Sequence, residues 1–110
     1  MKAQDIVEQL GFEVLAGADQ LANEVDGGYV ADLLSCVMAG AKPGNVWITL
    51  QTHANIVAVA SLLGISTIVI AEAAPVPEST LEKAEQQGVP MLSSPEPVYE
   101  TVSQLIKLGV

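Results

Sequence analysis

Between Ala54 and Ala71 the chain runs for eighteen residues without a charge, long enough to raise the question of a membrane span. Gly64 divides the run. Ahead of it the residues are rich in Ala and Leu, whereas Ile65, Ser66, Thr67, Ile68, Val69 and Ile70 behind it carry the β-branched signature of a strand. No cluster of Lys flanks either end, as an anchored span would have. The run reads as a helix over 54–63, a turn at Gly64 and a buried strand over 66–71.

The rest of the chain fits around that unit. Ile6, Val7 and Leu10 share one helical stripe before Gly11, giving a helix over 3–10, and Phe12–Leu15 reads as a strand. Leu21 and Val25 suggest an extended piece leading into Gly27 and Gly28. Tyr29–Met38 reads as a short helix capped near Asp32 and ending at Gly40, with a turn over 41–44. Val46–Gln51 alternates as a strand does, and Thr52 is placed to cap the helix that follows. After the loop Ala-Ala-Pro-Val-Pro, a helix over 78–87 turns Leu81 and Ala84 inward and stops at Gly88, and Val89–Leu92 is a last strand. Ser94-Pro95 opens a final helix whose core stripe is Tyr99, Val102, Leu105 and Ile106. Helices and strands alternate through the second half, which predicts a single α/β domain over 1–110: a mainly parallel sheet of four to five strands flanked by helices.

Composition narrows the partners. Thirteen Asp and Glu against four Lys and no Arg give a formal net charge of -9, which repels phosphate backbones and anionic lipid, so neither nucleic acid nor membrane is expected as a partner. Half the residues are hydrophobic and only 15% are charged, an economy of polar surface that points to a homodimer. Cys36 is alone, so no intrachain disulfide forms, and its spacing from His53 does not suit a zinc site; it reads as a buried, reduced cysteine of a cytoplasmic protein. The opening MKAQDIVEQLGF lacks the basic and apolar regions of an export signal.

If the strand from Val46 is central, Gln51, Thr52, His53 and Asn55 stand at its carboxyl end and at the start of the next helix, where open α/β sheets hold ligands. The positive end of that helix disfavours imidazolium, so His53 suits hydrogen bonding better than acid–base chemistry. The alternative is purely structural: Thr52 caps, Asn55 assists, and His53 satisfies nearby backbone groups. Gly27-Gly28 poses the same choice between close approach to a ligand and a tight turn or contact. Asp32 and Glu72 are either ligand-facing carboxylates or caps, and Trp47 and Tyr29 are stacking platforms or, more simply, core and interface. No Walker pattern occurs in Gly-Ala-Lys-Pro-Gly. No paired acid and base, activated nucleophile or metal cluster is present in the pattern, so no catalytic or metal residue is assigned.

The stretch GGYVADLLSCVMAGAKPGNVWITLQTHANIVAVASLLGISTIVIAE resembles the DRTGG domain, and the resemblance continues through EKAEQQGVPMLSS to LIKLGV. The literal Asp-Arg-Thr is missing: Val25-Asp26 precedes the glycine pair. The resemblance implies an α/β domain similar in fold to the N-terminal domain of HPr kinase, found joined to phosphate acetyltransferases and CBS-containing pyrophosphatases or as small free-standing proteins. It implies regulatory or architectural work, including subunit contacts. The reading is therefore a non-catalytic, cytoplasmic ligand-sensing module that binds a small polar metabolite or nucleotide at Gly27, Gly28, Tyr29, Asp32, Gln51, Thr52, His53, Asn55 and Glu72. The sequence names no cofactor. The competing reading is a pure interaction domain that dimerises or docks on a partner enzyme through the apolar helix 54–63 or the glycine pair.

Overall fold

The computed structural model describes residues 1–110. The eighteen-residue uncharged run is divided as its composition demands: helix α3 (Asn55–Leu63), a left-handed turn at Gly64 (φ 72°), then strand β4 (Thr67–Ile70). The turn works because glycine has no Cβ to oppose a positive φ, and its amide closes α3 by donating to the carbonyls of Ala60 and Ser61. No helix is long and apolar enough to cross a membrane.

Around this unit lie α1 (Ala3–Leu10), β1 (Glu13–Ala16), a 3₁₀ turn (Ala18–Gln20), β2 (Gly28–Val30), α2 (Leu34–Gly40) and β3 (Val46–Thr49). After β4 come α4 (Glu78–Gln87), β5 (Met91–Ser93) and α5 (Val98–Leu108). The five strands make one sheet in the order β1-β5-β4-β3-β2, parallel except for β1 at its edge. Every residue of β3 and β4 is buried, as central parallel strands require when helices cover both faces. Alternation sends Trp47, Ile68 and Ile70 toward α2, α3 and α4, and Val46, Ile48 and Val69 toward α1 and α5. Trp47 is fully buried and its indole N–H donates to the carbonyl of Ala31 at 2.8 Å, which makes it core.

Expectations need correction in three regions. Tyr29 lies in β2, not in a helix, because Gly28-Tyr29-Val30 pairs in parallel register with Val46-Trp47-Ile48. Its ring packs on Gly40, where a Cβ would meet the hydroxyl at 2.5 Å, and that hydroxyl donates to the carbonyl of Cys36. Helix α2 therefore starts at Leu34, with Leu33 as its cap and no side-chain bond from Asp32. Cys36 is exposed on this short helix, not buried.

The second correction concerns α5. It begins after Pro97, three residues later than Ser94-Pro95 predicts, and its inward residues are Thr101 and Leu105. Tyr99 and Ile106 are instead 82% and 64% exposed. Ser94 is held inside by its own hydrogen bonds and caps nothing. The third is at α3, where Ala54 is the cap and Thr52 makes no side-chain capping bond.

Candidate functional site

The carboxyl ends of the four parallel strands converge on one edge, and a set of buried hydrogen bonds holds the loops that leave them. Thr49, the last residue of β3, is 1% exposed; its hydroxyl donates to Asp32 Oδ1 at 2.8 Å and accepts from the Gln51 amide at 3.1 Å. Asp32 Oδ1 also accepts from the Leu50 amide at 2.8 Å. The exposed carboxylate thus ties the loop after β2 to the end of β3. Beyond it, the hydroxyl of buried Thr80 on α4 donates to the Thr52 carbonyl at 2.8 Å.

His53 sits at the start of α3 with its ring exposed. Its Nδ1 accepts from the Asn55 amide at 3.0 Å, and its carbonyl accepts from the Ile56 amide at 3.1 Å. The imidazole does what a capping Asp or Asn does elsewhere: it satisfies an amide that the helix leaves unpaired. Nε2 makes no hydrogen bond within the chain. The amides of Thr52, His53 and Ala54 make no hydrogen bond within the chain, nor do the side chains of Gln51, Thr52 and Asn55.

Past β4 the chain turns through Glu72 (φ 61°) and Ala73 (φ 48°), the two non-glycine residues with positive φ. Such backbone costs on the order of 1 kcal/mol or more per residue and persists only where surroundings enforce it. Here the Glu72 amide donates to the Glu96 carbonyl and the Ala73 amide to the Ser94 carbonyl, both at 2.8 Å. The loop after β5 is fastened in turn. Thr101 Oγ1 donates to the Glu96 carbonyl at 3.1 Å and Ser94 Oγ accepts from the Glu96 amide at 3.2 Å, which leaves Ser94 to donate in its 2.8 Å bond to Thr101 Oγ1. Both hydroxyls are fully buried. Nothing in Ala-Glu-Ala-Ala announces a left-handed turn, and the Ser94–Thr101 pair is seven residues apart, so sequence reasoning had no local signal for either.

Gln51, Thr52, His53, Asn55, Asp32 and Glu72 therefore belong to this edge. Gly27 and Gly28 do not. In the parallel register Gly28 is level with Val46, the first residue of β3, whereas Thr52 lies beyond its last. At roughly 3.3 Å per residue this separates the two motifs by more than 10 Å along the sheet. The expectation of one shared pocket fails for a simple reason: flanking a strand does not say which end of the sheet a motif occupies. Gly27 (φ 78°) makes the turn into β2, its carbonyl accepting from the Val46 amide, and Asn45 Nδ2 donates to the Asp26 carbonyl beside it. Gly28 floors an apolar groove of about 120 Å³ between the β2 edge and α5. Tyr29 is occupied beneath α2.

The carboxyl edge is an open surface; the concavities of the molecule all lie against α5. Its loops carry Asp32, Glu72 and Glu96 and no Lys. It offers amide donors and carboxylate acceptors, with no fixed cation for a phosphate chain.

A family model of the DRTGG domain matches residues 5–108. Among solved structures, the fold is similar to that of the CBS and DRTGG domains of the regulatory region of Clostridium perfringens pyrophosphatase, complexed with its activator, diadenosine tetraphosphate. The TM-score is 0.72 at 18% sequence identity, over 94% of this chain and 44% of that one. This chain thus spans less than half of that neighbour, and at such identity the likeness speaks for the fold. No curated protein matches the sequence significantly. Since the family match takes in all five strands and runs from α1 through α5, the chain belongs to the DRTGG domain family.

Proposed function

We propose that the chain is a non-catalytic regulatory module whose carboxyl edge binds a small polar ligand. The observation that carries this reading is the row of three unpaired amides at Thr52, His53 and Ala54, with His53 Nε2, Gln51 and Asn55 beside them and Asp32 and Glu72 as acceptors. Buried bonds through Thr49, Thr80, Ser94 and Thr101 hold the loops beneath, so little ordering remains to be done on binding. Membership in a family that also occurs in a pyrophosphatase regulatory region supports the same class of role.

Charge decides the ligand class. A polyphosphate would face three carboxylates without a compensating Lys, in a chain of net charge -9. A neutral or singly charged metabolite, such as a nucleoside, fits this edge better than the tetraphosphate of the neighbour. The module then works in a cytoplasmic setting beside a partner enzyme. Thermal-shift measurements with adenosine, ATP and diadenosine tetraphosphate test this: adenosine raises Tm, His53→Ala and Asn55→Ala reduce the rise, and the phosphates give less. A rise that survives both substitutions places the ligand elsewhere.

The second reading, an interaction domain, has its own observation. On helix α3, Ile56, Val57, Val59 and Ala60 are buried between α2 and α4, which leaves Leu62 as its one exposed large apolar side chain. The outer face of α5 and the β2 edge are uncovered.

A further inference from the structure

The outer face of α5 carries Tyr99, Val102, Ser103 and Ile106, spaced i, i+3, i+4 and i+7, which is an apolar stripe of the kind that packs on another helix. Tyr99 is 82% exposed and Ile106 64%, and Val30 on the adjoining β2 edge is 46% exposed. The groove floored by Gly28 runs between them. A chain of net charge -9 repels its own copies unless the contact surface is free of unbalanced acid. Along α5 itself the charges are Glu100 and Lys107, both exposed, and neither is in an ion pair within the chain.

Their spacing is what selects the occupant. Seven residues apart, they lie within about 20° of each other around the helix and about 10 Å apart along it. Rotation about a two-fold axis near Val102 and Ser103 reverses the helix but keeps that flank on the same side. Glu100 then comes opposite the partner's Lys107, and Lys107 opposite the partner's Glu100. The same rotation sets Tyr99 against the partner's Ile106, with the small Ser103 at the centre where the backbones approach most closely. The face is complementary to itself when antiparallel, as an isologous contact requires.

We propose that the α5 face, continued by the β2 edge, is the surface on which two copies of this chain pair antiparallel. The proposal rests on the interaction reading above and is independent of the ligand edge, which lies at the carboxyl ends of the strands.

Sedimentation velocity of the full chain over a range of concentrations tests it, with circular dichroism to confirm folding. The wild-type chain forms a dimer. Ile106→Glu, at an exposed position that perturbs folding little, weakens association by at least about tenfold. Glu100→Lys and Lys107→Glu each weaken it by bringing like charges together, and the double variant recovers most of the loss because the pairs are merely exchanged. A wild-type chain that stays monomeric at every concentration overturns the proposal and leaves the face to a different protein. A dimer indifferent to Ile106→Glu, or single charge reversals that the double variant does not rescue, also overturns it. In each case the thermal-shift response to adenosine is measured separately, so failure of the interface and failure of the ligand edge are told apart.

Discussion

The carboxyl edge of the sheet and the outer face of α5 differ in what lies beneath them. At the carboxyl edge exposed polar groups stand on buried, hydrogen-bonded threonines and serines: Thr49 under Asp32, Thr80 under Thr52, Ser94 and Thr101 under the Glu72 and Glu96 loops. The α5 face carries its apolar residues outward, and the helix is anchored from behind by Leu105 and Thr101. One region spends stability on fixing donors and acceptors in place. The other leaves apolar area open to water, a cost that covering it would remove. Substitutions should therefore separate the two: those under the polar edge cost stability, and those on the α5 face cost association.

The largest effect is expected at Thr101. Thr101→Val conserves shape but leaves the buried Ser94 hydroxyl without an acceptor for its proton and takes one of two donors from the Glu96 carbonyl, which should cost about 1–3 kcal/mol in urea denaturation. A loss below a few tenths would mean that the loop after β5 is not fastened as described. Next is Asp32→Ala, which frees the Thr49 hydroxyl and the Leu50 amide together. A cost of about 1–2 kcal/mol follows if the buried Thr49 hydroxyl is the one that suffers.

How much of this was legible follows the same division. The uncharged run from Ala54 to Ala71 fixed α3, Gly64 and β4 because period, β-branching and glycine all act locally. The end of α4 is legible because Gly88 marks its stop. β2 was misread because three residues are too few to show a period, and its pairing with β3 is a tertiary fact. The start of α5 was misread because Ser94-Pro95 imitates a cap while Ser94 is in fact used by Thr101 across seven residues. At the site, the strand-to-helix corner was found from Gln51-Thr52-His53-Asn55. The end of the sheet on which Gly27-Gly28 falls depends on strand direction, which no local pattern encodes.

Smaller effects sharpen the contrast. His53→Ala removes the acceptor of the Asn55 amide at an exposed helix start, and about 0.5–1 kcal/mol is expected, near the low end for a lost cap. His53→Asn should recover most of it, since a short amide side chain reaches the same N–H; thermal unfolding distinguishes the two. Leu62 on α3 is 71% exposed and belongs to neither region, so Leu62→Ser should change stability by less than about 0.5 kcal/mol and leave sedimentation unaltered. A shift in sedimentation with Leu62→Ser would move the contact surface away from α5.

The claim that organises the account is that ligand recognition and the glycine pair occupy opposite ends of the sheet. Amide chemical-shift mapping during titration with adenosine addresses it directly. The account predicts that Thr52, His53, Ala54 and Asn55 shift together, with Gln51 and the Glu72 loop following and Gly27 and Gly28 unmoved. Shifts centred on Gly27, Gly28 and the β2 edge, with Thr52 to Asn55 silent, would contradict it.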